Sequence, residues 1–251
     1  FNSHSASEIF IRSIGGNYFY PTNNKNNPEA LKINPLNLED NANNQDFLER
    51  WFNYLINYGS KVPDEERDLI KPIIKQIFQQ KIRKLSLASD LFKDKAPNIY
   101  KKLSIWHSDG KYSFIFDHEK ENDININLIN SVSFSKILQN KALLIPIFSY
   151  LLHKIENSLD GSPTIIAIDK SMQLINNYAI APTLDNFLER VAKKNCIVIF
   201  SIDSEEDIAD NYIQKIFHDN ITTSIFLANS MSHDYYKSIF NLNKYEFELI
   251  E

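Results

Sequence analysis

The sequence predicts an α/β protein: a parallel-rich central sheet flanked by helices. Three observations carry that expectation. Pro163-Thr164-Ile165-Ile166-Ala167-Ile168-Asp169-Lys170 is a short apolar run ending in an acid, the pattern of a strand buried on both faces at the centre of a parallel sheet. Asn195 to Ile202 is a second β-rich apolar run. Helical patterns alternate with these runs, the order that β-α units produce. With 251 residues, 43% hydrophobic and 24% charged, the chain suffices for one large domain or two modest ones of ordinary globular composition.

Each element has its own local signal. Glu8-Ile9-Phe10-Ile11-Arg12 reads as a short helix with one apolar side, stopped by Gly15-Gly16, since glycine suits a left-handed cap. Asn17 to Tyr20 is short and aromatic, a strand. Pro21 to Pro28 is a polar loop. Phe47, Leu48, Trp51, Phe52, Leu55 and Ile56 recur at helical spacing, with Asn43 or Asn44 as the cap. A second helix starts at about Asp64, its first-turn acids Asp64, Glu65 and Glu66 favouring the dipole; Pro72 predicts a late start or a kink. Further helices are expected over Ser86 to Phe92 and Ala96 to Trp106, where Pro97 suits a first turn. Lys111 to Phe116 alternates and reads as a strand, Asp117 to Asn127 as a polar loop, Ser131 to Phe134 as a short strand, and Ala142 to Ile155 as a buried helix. After the Pro163 to Ile168 strand come a helix from Thr183 to Lys194, the Asn195 to Ile202 strand, a helix over Asp207 to Phe217, a strand over Thr222 to Leu227 and a helix over Ser232 to Phe240.

Composition excludes several classes. A net charge of -5 gives no global pull toward nucleic acid or an acidic membrane. Cys196 is the one cysteine, so no internal disulfide forms; opening an apolar strand, it reads as a small buried hydrophobe. No apolar run approaches the ~20 residues that span a bilayer. The chain opens on Phe1 and reads as a fragment or a trimmed chain, without a signal-peptide pattern. Its five glycines contain no G-x-x-x-x-G-K-[ST] loop: Gly110 precedes Lys111, but positions 105 and 112 hold Ile105 and Tyr112. The six histidines show no metal spacing, and His118-Glu119-Lys120-Glu121 reads as a solvated charge run.

Asp169 is the candidate site residue. An acid just past a buried strand's carboxyl end sits where α/β sheets bind ligands, and in nucleotide-hydrolysing P-loop proteins such an aspartate helps hold magnesium. The plainer reading is a turn aspartate that ends the strand.

Several stretches match one family in order. They are Glu8-Ile9-Phe10-Ile11-Arg12-Ser13-Ile14-Gly15-Gly16, Ile33-Asn34-Pro35-Leu36, Asp46-Phe47-Leu48 with Trp51, and Phe116-Asp117. Then come Pro146 with Tyr150-Leu151-Leu152-His153-Lys154-Ile155, Ile165 to Asp169, Lys193-Lys194-Asn195, Ser224 to Asn229, and Asn241-Leu242-Asn243 with Glu246, Leu249 and Ile250. Together they resemble the carboxyl-terminal motor domain of the conjugation-type ATPases of bacterial type IV secretion systems, the CagE/TrbE/TraC group. The resemblance covers nearly the whole chain. It implies a RecA-like P-loop NTPase fold over residues 1–42 and 109–251, a helical insertion over 43–108, and a phosphate loop just before Phe1.

The departures from that pattern fall at the nucleotide site. The resemblance implies Asp-Glu at the end of the central strand, aspartate ordering magnesium and glutamate orienting water; here the pair is Asp169-Lys170. The next strand is expected to end in a glutamine that contacts the γ-phosphate, and Asp203 stands there, where a carboxylate would repel triphosphate. An arginine-lysine pair is expected where Lys193-Lys194 stands, and lysine lacks arginine's bidentate fork. The segment after Phe1, acidic in the family, is Asn2-Ser3-His4-Ser5. The apolar scaffold is kept while the catalytic groups are exchanged.

The leading expectation is a degenerate paralogue, a motor-like subunit with an assembly or regulatory role, inactive as an ATPase by itself and holding no cofactor. Lys170 is expected to pair with Asp169 or another nearby acid. The alternative is an active ATPase, using ATP and magnesium at Asp169, that energises channel assembly or substrate transfer. A DNA translocase is disfavoured by the acidic charge and the lack of interleaved basic and aromatic residues. The resemblance further implies other type IV secretion subunits as partners, a homo- or hetero-oligomer, and attachment through them to the cytoplasmic face of the bacterial inner membrane.

Overall fold

Glycine and proline punctuate the chain where the backbone has to turn, and helices fill most of what lies between. A computed structural model describes residues 6–24, 26–57, 63–124, 128–175, 180–202, 211–227, 237 and 240–250. The chain divides into two compact units, residues 1–160 and 161–251.

In the first unit, helix α1 (Ala6–Ser13) is closed by Gly15 at φ 77, which a side chain would strain, and leads into β1 (Asn17–Phe19). β1 pairs in parallel with β2 (Asn130–Val132), Tyr18 opposite Ser131. Between them lie α2 (Ala42–Asn57), α3 (Asp64–Phe78), α4 (Leu85–Asp90), α5 (Pro97–Leu103) and α6 (Ser113–Phe116), and α7 (Lys141–Ser158) follows β2. Every residue of α7 from Leu143 to His153 is buried. Trp51 of α2 donates its indole N–H to the Pro146 carbonyl of α7 at 3.1 Å, and Trp106 donates to the Leu55 carbonyl at 2.9 Å. A buried indole thus keeps its polar handle satisfied while its rings fill the core. Helix α3 runs through Pro72 from its start at Asp64.

Three expectations in this unit are corrected. Lys111 to Phe116 is not a strand. Tyr112, Ile115 and Phe116 are all buried, a helical spacing, and Tyr112 and Phe116 both pack on Trp106. Gly110 lets this turn lie against the backbone of Ser104 and Ile105, where a Cβ would meet a carbonyl oxygen at 2.2 Å. The cap of α2 is Asn41, whose Oδ1 accepts the N–H of Asn44, and Asn44 itself is buried. Glu121 is not a solvated loop charge. It accepts the Tyr150 hydroxyl at 2.5 Å and Lys154 Nζ at 2.7 Å, while the N–H of Asn34 reaches its Oε2 at 3.3 Å. Asn34 donates its carboxamide to the carbonyls of Arg83 and His118, so three segments of the unit meet at this one motif residue.

In the second unit, β3 (Thr164–Ile168) pairs in parallel with β4 (Cys196–Phe200), Ile166 opposite Val198. The crossover passes through α8 (Met172–Ile175) and α9 (Ala181–Val191), and α10 (Asn211–Asn220) follows β4. The last helix, Lys244–Glu248, opens with a capping box between Asn243 and Glu246.

The expectation that β3 is buried on both faces is overturned. Ile166 and Ile168 are buried, but Ile165 is 69% exposed, and Ile197 and Ile199 of β4 are 62% and 49% exposed. Successive strand side chains point to opposite faces, and one face of this pair lies open. Thr222 to Leu227 is not a strand: among the described residues it joins neither two-stranded sheet, and Ile225 and Leu227 are exposed. The expected helix over Asp207 to Phe217 is found from Asn211 to Asn220, residues 203–210 lying outside the described set. Most of the Ser232 to Phe240 helix also lies outside it.

Candidate functional site at the strand ends

The carboxyl ends of β3 and β4 lie side by side because the two strands are parallel and in register. Ser201 follows β4 directly, and its N–H continues the ladder to the Ile168 carbonyl at 3.0 Å. Asp169 and Lys170 follow β3. Lys170 has φ 49, a left-handed backbone that costs a residue with a Cβ ~1–2 kcal/mol. Non-glycine residues held there cluster at sites where the surroundings over-determine the geometry.

What over-determines it is Ser201. Its hydroxyl donates to Asp169 Oδ1 at 2.6 Å and accepts the Lys170 N–H at 3.2 Å. Its carbonyl accepts both the N–H and the hydroxyl of the fully buried Ser171, each at 3.0 Å. Asp169 and Lys170 are half-buried. The sequence reading passed over Ser201. Its signal was positional: the first residue after β4, in register with the first after β3.

Of the other site residues read from the sequence, Lys193 and Lys194 lie in the turn between α9 and β4, at the amino end of the sheet. That end is five strand residues, about 17 Å, from Asp169. The structure thus brings Asp169 and Lys170 together and sets Lys193 and Lys194 apart from them. Asp203 lies outside the described residues.

A magnesium ion asks for a near-octahedral shell of oxygens, with carboxylates and phosphate among them. The strand ends supply one carboxylate, with one oxygen already engaged by a hydroxyl proton and a lysine next in the chain. Among the described residues no three histidine, cysteine or acidic side chains converge to hold a metal.

Parallel strand pairs flanked by helices make this an α/β fold, and a solved structure bears out the fold. VirB4 of Thermoanaerobacter pseudethanolicus superposes with a TM-score of 0.75 at 14% sequence identity, over 99% of this chain and 74% of that one. In sequence, the chain is similar to VirB4, a type IV secretion system protein. It is 27% identical to VirB4 of Bartonella henselae over 259 aligned residues, covering all of this chain. To VirB4 of Agrobacterium tumefaciens it is 25% identical over 90% of the chain, and to that of Brucella suis 24% over the whole. The chain spans about a third of the length of these curated relatives, 32% for the Bartonella protein. No protein-family model matches it.

Proposed function

We propose that this chain is a motor-like subunit of a bacterial type IV secretion system whose nucleotide site is silent, and that it acts in assembly or regulation of the system. The whole-length similarity to VirB4 supports the system. The observation that carries the silence is the strand end itself. Asp169, the position the resemblance gives to magnesium, is held by Ser201, and Lys170 stands where a water-orienting glutamate would be. Phosphoryl transfer depends on positioning and charge stabilisation, and these residues direct neither toward a phosphate. Partners under this reading are other type IV secretion subunits, including copies of itself or an active relative. Attachment to the inner membrane under this reading runs through those partners.

A phosphate-release assay with magnesium and ATP, beside calorimetric titration of ATP, tests the silence. The chain is expected to show neither turnover nor heat, and Lys170→Glu to restore neither. Turnover that vanishes on Asp169→Ala would make the domain a working ATPase. Co-purification with secretion-system subunits tests the partnership, and a strict monomer that captures none of them would overturn it.

A further inference from the structure

We infer that Ser201 is a clasp that takes a metal's place at Asp169, locking the ends of β3 and β4 in one geometry with no ligand present. Each polar group of Ser201 has a partner within four consecutive residues. The N–H goes to Ile168, the hydroxyl hydrogen to Asp169, the hydroxyl oxygen to the N–H of Lys170, and the carbonyl to Ser171. One residue just past β4 thereby writes the path of the whole turn after β3. The left-handed Lys170 belongs to the same device. With Lys170 in that region, the successive N–H groups of Lys170 and Ser171 both face Ser201, one meeting the hydroxyl and the other the carbonyl.

The hydroxyl gives the aspartate a hydrogen-bond donor from within the chain and fixes its rotamer. A bond to an ionised acceptor is among the stronger hydrogen bonds. The turn is therefore already satisfied. A cation arriving at Asp169 would meet a carboxylate with one oxygen already engaged by this proton and a lysine next in the chain. The clasp makes the strand ends insensitive to magnesium, so the domain presents one constant face whatever the nucleotide supply. This deepens the reading of a silent site and rests on it for the absence of bound metal. The hydrogen-bond coupling itself does not depend on which assembly the chain serves.

Thermal unfolding of the full chain tests the inference, using Ser201→Ala, Asp169→Ala, the double variant and Ser201→Thr, each with and without millimolar magnesium. Ser201→Ala and Asp169→Ala are each expected to lower Tm by about 2–4 °C, the scale for losing one such bond in a chain of this size. The double variant should lose clearly less than the sum of the two single changes, because both remove the hydroxyl–carboxylate bond. Ser201→Thr keeps the hydroxyl and should restore most of the loss. Magnesium should leave the wild-type Tm unmoved. Strictly additive losses, or failure of threonine to rescue where alanine destabilises, would overturn the clasp. A magnesium-dependent rise in Tm that Asp169→Ala abolishes would overturn the replacement of the metal, even if the secretion partners of the domain are confirmed.

Discussion

Asp117 shows how one side chain holds two segments together. Its Oδ1 accepts the N–H of Ser86 at the start of α4, and its Oδ2 accepts the N–H of Ser108, whose own φ is 53. Burial works against its charge, but those two N–H groups, with the Ser86 hydroxyl and Lys84 behind them, outweigh burial and hold the carboxyl below its ordinary value of 3.8. The folded carboxyl then binds fewer protons than the unfolded one near that value, so stability rises with pH there. The contribution is complete above the ordinary value and is lost as pH falls through the folded one. Urea midpoints followed from about pH 7 down to about pH 3 are expected to fall, with a shallower acid limb in Asp117→Asn. An identical acid limb in that variant would show that Asp117 carries none of it. The resemblance marked Asp117 through the pair Phe116-Asp117, but its partners Ser86 and Ser108 were beyond reach, because neither stands in a recurring pattern. Glu121 was hidden for a similar reason: a charge within a charge run looks like solvent until Tyr150 and Lys154 are known to converge on it.

At the scale of elements, the strand β3 is the informative case. Its continuous apolar run located the strand and its parallel partner, yet the run fitted two faces when the structure covers one. Apolar identity states that a side chain can be buried, not that a layer lies above it. The two faces are expected to differ sharply in their tolerance of truncation. Ile166→Ala should cost ~2–5 kcal/mol, as for other large buried side chains, and Ile165→Ala less than ~1 kcal/mol. Equal losses by urea denaturation would mean that Ile165 is also covered. The helices were the more legible elements, because a 3.6-residue period with a cap or a proline needs only local chemistry. The α6 segment escaped for want of it. Four residues are too few to show a period, and the turn is set by Gly110 lying against Ser104 and Ile105. At the candidate site the acid at the strand end was legible, while Ser201 was not, since its role exists only once two strands stand in register.

At the scale of the molecule, the two units carry different chemistry as well as different folds. Both tryptophans, Trp51 and Trp106, are buried in the first unit, and the one cysteine, Cys196, opens β4 in the second. Burial pushes the Cys196 thiol up from its ordinary value, which starves the native state of the thiolate that reacts with alkylating reagents. Each unit therefore comes with its own built-in reporter: intrinsic fluorescence follows one, and thiol labelling follows the other. The open apolar face of β3 and β4 leaves Ile165, Ile197 and Ile199 of the second unit exposed. Its thiol is expected to become reactive at a lower urea concentration than the one at which tryptophan emission shifts. Coincident curves from the two probes would show instead that the chain unfolds as one cooperative body.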